Sequence, residues 1–482
     1  MKKILILSIL IISSNIIFAQ ENPKKCITTS IVVEELENNP EYRIVSQNLI
    51  NYQKENKENN YKNQAEITIP VVIHIVHRTQ DNIGANTNIS NAQIEDQLRI
   101  LNEDFSKTNS EFPNPPRNTF VNYAGNPDIK FCLATTDPNG NSTTGVTRTP
   151  TSNSSWDADD DNEKNEMKLT SQGGIDNWDP LRYMNIWVCN LTNSSGGGQT
   201  LGYAYLPGLQ NNSNQSWKDG LVVDYKYFGT VGNASSSSDG RTPTHEIGHY
   251  LGLSHTFCES GGCCDNDNGG WGLSVDDTPA TDGVYWGDVN SSTNNNTCND
   301  QNYGFTNDLY DMDENYMSYA STTWMFSNGQ ASLMEDVLSA PTWQGGRLEL
   351  KNSTVSVNCS GIIPVSGESW NCDGQGNCND PGNGNGQYSS LTICNTACNS
   401  TSVDDIKNQL FIYPNPTTGD LFINTSEKII SVSVCNIIGK EVISDAEHNN
   451  SVLNLHQLSN GVYFIRISTE KGVLTKKIIL SK

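Results

Sequence analysis

Basic residues are scarce in this 482-residue chain: 30 Lys and Arg stand against 54 Asp and Glu, a formal charge of -24. A protein that grips nucleic acid needs a basic face, so that class of function is excluded and the acidic surplus is read as a solubilising surface. Long apolar runs are also lacking. The one at Ile4–Ile12 lies between Met1-Lys2-Lys3 and the polar break Ser13-Ser14-Asn15, with Phe18-Ala19-Gln20 beyond. It is too short for a bilayer span, and its charged start, apolar middle and small residue near a cut point describe a secretory signal peptide over residues 1–19. No later segment is apolar enough to cross a membrane, so the mature chain carries no transmembrane segment and is expected outside the cell. Thirteen cysteines in an exported chain point to disulfides.

Histidine is rare too, with seven in the chain, yet three fall within the eleven residues His245-Glu246-Ile247-Gly248-His249-Tyr250-Leu251-Gly252-Leu253-Ser254-His255. Two histidines four apart on a helix share one face, so both imidazoles can address one metal ion. Gly252 can end the helix in a left-handed turn that brings His255 round as a third ligand. Three protein ligands leave a position open, as in catalytic rather than structural zinc sites, and Glu246 is placed to take a proton. Thr242 is the expected N-cap of this helix and Pro243 its first-turn residue.

Residues 20–66 are polar and weakly patterned and read as a removable propeptide. Cys26 there is either a lone cysteine in a leader or a thiolate that occupies the metal and holds the enzyme latent. The β-branched run Ile69–His77 is a sheet strand, and His74 and His77 are read as strand histidines with structural partners. Ser90–Gln93 matches a capping box ahead of Ile94, Leu98, Leu101 and Phe105 at helical spacing, so a helix backs the sheet. Residues 129–134, 184–189, 201–205 and 221–225 supply further strands. Cys258, Cys263, Cys264 and Cys298 suggest two disulfides in a long loop. Asp265, Asp267, Asp276 and Asp277 in that region offer oxygen to calcium, but their spacing matches no defined calcium loop and solvated turns are the better reading. Ser327 and Gln330 cap a helix running to Leu338. Residues 346–402 form a linker with a Cys-rich module around Cys372, Cys378, Cys394 and Cys398, and from 403 to 482 short alternating strands describe an all-β sandwich.

Two resemblances rest on these residues. His245–His255 resembles the metzincin clan of zinc endopeptidases, and Met317 within Asn315-Tyr316-Met317-Ser318-Tyr319 looks like the clan's Met-turn methionine. With the early strand and the Asp276–Pro279 and Phe326–Gln330 segments, the stretch is similar to the pappalysin (cytophagalysin) group. The resemblance implies an α+β fold with a two-lobed catalytic domain over 67–345: a twisted mixed sheet, a backing helix and an active-site helix above an irregular lower lobe. It implies catalytic Zn2+ on His245, His249 and His255, Glu246 as general base and Tyr319 assisting the tetrahedral intermediate. It also implies structural Ca2+ without choosing ligands. Trp324 stands where relatives carry cysteine, so disulfide pairing does not transfer. Ser321-Thr322-Thr323 supplies no acid for a basic side chain in the primed-side pocket. The tail, with Tyr413–Gly419, Asn436–Lys440 and Gly461–Tyr463, looks like the C-terminal sorting domain of type IX secretion in Bacteroidetes, implying that machinery as a partner and release or surface attachment. The expected activity is hydrolysis of extracellular proteins or peptides. The alternative is an inactive secreted adhesin on a protease-like fold.

Overall fold

The computed structural model describes residues 26–56 and 66–363, except 195–197, 211–213, 260, 265–272 and 274. Beyond 363 it describes 371–372, 377–379, 391, 394–395, 398, 410–425, 428–436, 440–445, 452–469 and 472–482. The expected signal peptide, Asp265 and Asp267 lie outside these residues. The chain divides into two compact units at Ile363/Pro364.

The first unit is built on a seven-stranded mixed sheet. Strand β1 (Ile67–Arg78) is its centre, and its run of β-branched residues is buried on both faces, as a strand covered on both sides requires. β2 (Ile129–Ala134) and β3 (Val146–Thr151) pair in parallel with successive parts of β1, and β4 (Met184–Cys189) pairs in parallel on its other side. β6 (Leu221–Asp224) extends the sheet in parallel from β4, and β5 (Gly202–Ala204) closes that side antiparallel to β6. At the other side β7 (Val357–Asn358) pairs antiparallel with β2. β3 is absent from the sequence reading because it is polar and carries Pro150. It sits beside β1 without an alternating pattern to announce it.

Among the described residues, five helices of nine or more residues and the short helix Leu348–Lys351 pack around this sheet. α1 (Thr28–Asn38) and α2 (Pro40–Asn56) occupy the segment that reads as weakly patterned. α3 (Asn91–Phe105) backs the sheet as expected: the Ser90 hydroxyl accepts from Gln93 N, while the Gln93 amide donates to Tyr225 O and Phe228 O instead of closing the box. α4 (Thr242–Tyr250) carries the histidine motif. Its cap differs from expectation. Arg241 holds the N-cap position and Thr242 lies inside the first turn, because the Thr244 hydroxyl and the Arg241 side chain both reach toward Asp104 of α3 and fix the entry without a side-chain cap. α5 (Asn328–Ser339) has the full Ser327/Gln330 capping box.

Residues 346–363, read from sequence as the start of a linker, belong to this unit. Arg347 is buried, pairs with Asp219 at 2.9 and 3.1 Å and donates to Tyr250 O at the end of α4. A disulfide joins Cys359 to Cys132 of β2. Two more, Cys258–Cys264 and Cys263–Cys298, staple the long loop of the lower part. Both oxygens of Asp277 are spent at the start of α5, accepting from Ser327 Oγ and Gly329 N, which leaves that carboxylate a helix-capping role.

His74 and His77 are structural. His74 is fully buried between Thr147 Oγ1 at 2.8 Å and Asn185 Oδ1 at 3.0 Å, with Trp187 5.2 Å away, and burial lowers its pKa to about 4. Its folded pKa lies below the usual 6.5, so its contribution to stability is present above about pH 6.5 and is lost as pH falls toward 4. The shift corresponds to roughly 3 kcal/mol. Denaturant unfolding at pH 7 and pH 4.5 is expected to show this loss in the wild type and a smaller one in His74→Gln; equal losses in both would refute it.

Among the described residues the second unit holds a short antiparallel ladder of Asn371–Cys372 with Cys378–Asn379 and two larger antiparallel sheets. One comprises β8 (Leu410–Tyr413), β9 (Asp420–Thr425) and β12 (Val452–Asn454); the other comprises β10 (Ile429–Asn436), β11 (Glu441–Asp445), β13 (Gly461–Thr469) and β14 (Gly472–Leu480). Leu421, Ile423, Val434, Ile465, Ile467 and Leu480 are among the buried residues between them, the sandwich that alternation implies. In the same unit Cys378 is bonded to Cys394 and Cys398 is also in a disulfide, so these three are staples and not thiolate ligands, while Cys435 is free.

Candidate active site

α4 is nine residues long and fully buried from Pro243 to Tyr250, so both its histidines project into protein. Gly252 has φ +94°, the left-handed conformation that stops the helix and swings the chain back. His245, His249 and His255 thereby meet with their three Nε2 atoms 3.1 Å from one another. Each Nδ1 faces an acceptor: Tyr316 O at 2.7 Å, Leu253 O at 2.7 Å and the Glu259 carboxylate at 2.6 Å. Those acceptors place the protons on Nδ1, so three Nε2 lone pairs point at one another. Such a cluster is repulsive unless a cation sits at its centre. Burial, and then the neighbouring His255 and His245, push the His249 pKa well below its usual value, which keeps that ring neutral and ready to ligate. A tetrahedral ion with nitrogen at ~2.0–2.1 Å spaces its ligands about 3.4 Å apart, close to what is present, so the residues fit a metal.

The floor of the site is the turn at Met317. A Cβ on Gly248 would stand 2.3 Å from Met317 Sδ, so only glycine lets helix and turn approach this closely. Asn315 shapes the turn by accepting from Met317 N while its amide donates to Gln330. The buried carboxylate of Asp104 accepts from the Tyr316 hydroxyl at 2.6 Å and from Thr244 Oγ1 at 2.8 Å, tying backing helix, zinc-motif helix and turn together. Asp104 and Glu259 are supports that the sequence reading passes over, each one polar residue that no spacing marks; Asn315 is named there as part of the Met-turn segment but given no role.

Glu246 lies beside the histidines with both carboxylate oxygens buried, and burial pushes its pKa up to about 8 against the hydrogen bonds that pull it down. Tyr319 is packed among His245, His255 and Phe257, with ring centroids 4.9–5.6 Å away.

The segment ahead of α1 crosses all of these groups. Cys26 Sγ lies within 4.8 Å of a ring nitrogen of each of the three histidines, and the Cys26 backbone forms a parallel bridge with Gly202 of β5. Cys26 Sγ and Thr28 Oγ1 are 3.4 and 3.3 Å from Glu246 Oε2, Thr28 Oγ1 accepts from Ala204 N at 2.9 Å, and Cys26 O accepts from the Tyr319 hydroxyl at 3.4 Å. Burial, then the charge of Glu246, raises the Cys26 thiol well above its usual value; a thiolate here needs a cation beside it. Ion pairs Glu34–Lys164 and Glu35–Lys218, each at 2.6 Å, moor α1 to the rest of the unit.

A buried three-imidazole cluster with an adjacent carboxylate, carried by α4 and the turn after it, is the site of a metal-dependent hydrolase. The comparisons make this particular. Residues 170–339 match the family described as pregnancy-associated plasma protein-A, and residues 411–481 match the secretion system C-terminal sorting domain. The structure resembles that of a Tannerella forsythia promirolysin mutant, with 33% identity, a TM-score of 0.53, and coverage of 68% of this chain and 97% of that one. It also resembles mature mirolysin in complex with a cleaved peptide, with 36% identity, a TM-score of 0.50 and coverage of 60% and 97%. An extracellular metalloprotease of Arthroderma gypseum is 26% identical over 56% of this chain and 72% of its own length; one of Colletotrichum graminicola is 31% identical over 45% and 59%. The chain belongs to the pappalysin family of metalloproteases and carries a type IX sorting domain, and it is a secreted protein. Among the described residues no helix is long and apolar enough to cross a membrane.

Proposed function

We propose that the mature chain is a secreted zinc-dependent endopeptidase acting on peptide bonds of extracellular proteins, and that residues preceding β1 are its latency-conferring propeptide. The observation that carries the reading is the convergence of His245, His249 and His255 through Nε2 while every Nδ1 is committed elsewhere. Those three residues would hold the ion. Zinc, when bound, supplies Lewis acidity toward the scissile carbonyl and acidifies the attacking water. Glu246 accepts a proton from that water and returns it to the leaving amine; its buried carboxyl, with a raised affinity for the proton, suits both halves of the transfer. Tyr319, whose hydroxyl donates to Cys26 O in the uncleaved chain, is placed to donate to the developing oxyanion in the mature one.

The test is hydrolysis of gelatin or casein by the protein after removal of residues ahead of β1. A chelator is expected to lower the rate by at least about 100-fold, and added Zn2+ to restore it, since a Lewis acid contributes several kcal/mol to such a reaction. A mature protein that binds zinc and cleaves nothing would refute the proposal.

A further inference from the structure

His245 and His249 are set by the geometry of α4, but His255 lies on the loop beyond it, so its ring depends on what that loop supplies. Two contacts fix it. The Phe257 ring stacks on the imidazole, with centroids 4.8 Å apart and planes 11° from parallel, and holds its plane. The Glu259 carboxylate, 2.6 Å from Nδ1, holds the rotation within that plane and so the direction of Nε2. The acceptors for His245 and His249 are backbone carbonyls, which any sequence would provide. Glu259 is the one side chain among these three acceptors. A carboxylate on the far nitrogen of a ligating histidine both orients the ring and makes it a stronger donor to metal.

Glu259 is itself partly exposed, so its position needs a support. It follows Cys258, whose disulfide with Cys264 closes a short ring of chain that contains Glu259. Both ends of that ring are tied to one residue: Cys258 N donates to Thr281 O and Thr281 N donates to Cys264 O, each at 3.2 Å. Gly262 N within it donates to Asp282 Oδ1 at 2.6 Å. In the uncleaved chain Thr29 Oγ1 also donates to Glu259 Oε1, at 2.8 Å. That contact goes with the segment ahead of β1, and the disulfide ring stays.

Resting on the reading of His245, His249 and His255 as zinc ligands, we propose that Glu259 is a positioning residue that retains zinc through His255, and that the Cys258–Cys264 disulfide keeps it in place. The measurement is the zinc dissociation constant of the mature protein, from competition with a chromophoric chelator. Glu259→Ala is expected to weaken zinc binding about 10–100-fold, and Glu259→Gln, whose amide oxygen can still accept from Nδ1, by a smaller factor. Because Glu259 lies at the surface, metal-free Glu259→Ala is expected to melt within about 2 °C of the metal-free wild type. The double variant Cys258→Ser/Cys264→Ser is expected to weaken zinc binding about 3–10-fold on its own and to add nothing to Glu259→Ala, since both changes act through one contact. Zinc affinity of Glu259→Ala within about twofold of wild type overturns the proposal, as does a loss accompanied by early melting of the metal-free protein. An equal loss from the serine pair with and without Glu259 overturns the part given to the disulfide. All of these results leave the endopeptidase reading standing; a mature wild type that binds no zinc overturns both.

Discussion

Glu246→Gln is expected to lower kcat for peptide hydrolysis by about 10³-fold or more while the protein folds and retains its metal. Base catalysis by a positioned carboxylate is worth roughly 10²–10⁴-fold, and here one group is asked to take the proton and to give it back. Gln has the same shape, so packing inside α4 is undisturbed, and its amide oxygen can still accept from Thr28 in the uncleaved chain. The three imidazoles lie on the same helix and the loop after it, fixed by Tyr316 O, Leu253 O and Glu259, none of which the substitution touches. Metal content by mass spectrometry should therefore match wild type. A variant with bound zinc and wild-type kcat would remove Glu246 from the base role; one that loses zinc would show that the carboxylate supports the ligands instead.

The histidine cluster is legible in the sequence because its parts are local. An i, i+4 pair, a glycine that can adopt positive φ and a third histidine three residues on need only helix geometry to converge. The same holds for the capping box of α5 and the alternating strands of the second unit, where each pattern is complete within a few residues. What stays hidden depends on distant partners. β3 is recognisable only once Ile73–Arg78 of β1 are in place to pair with it. Cys132 reads as a strand residue until β7 brings Cys359 beside it, 227 positions later. Thr242 carries the right chemistry for an N-cap, but the pull of Asp104 on Thr244 and Arg241 starts the helix one residue earlier. α1 and α2 are illegible for a related reason. Their apolar faces are modest, and much of their stabilisation is borrowed: Leu49 packs into the main core, Ile27, Ile31 and Tyr42 join Trp187 and Tyr203, and two carboxylates pair with lysines of the catalytic unit.

That borrowed docking leads to the second large effect. In the uncleaved chain, Cys26→Ala is expected to raise peptidase activity by about 100-fold, and Thr28→Val by a smaller factor of about 5–30. The thiol lies within 4.8 Å of a ring nitrogen of each of the three histidines, and its removal leaves the metal position open to water. Alanine also loses the contact with Glu246 Oε2, while the ion pairs of α1 remain, so the segment stays docked and activity falls short of the mature level. Thr28 acts at a second point. Its hydroxyl faces Glu246 Oε2 and satisfies the amide of Ala204 on the edge strand β5, so valine leaves a buried donor unpaired, a cost of ~1–2 kcal/mol in the latent state alone. Cys26 Sγ and Thr28 Oγ1 share Glu246 Oε2 and lie 3.1 Å apart, so the double variant is expected to exceed either single one by less than the product of their factors. The assay is peptide hydrolysis by full-length protein, with mass spectrometry confirming that residues 20–66 are still attached. Unchanged latency in Cys26→Ala would mean that α1 and α2 block the cleft by coverage and the thiol is incidental. Activity in Cys26→Ala equal to the mature enzyme would mean that Thr28 and the ion pairs contribute nothing once the metal is released.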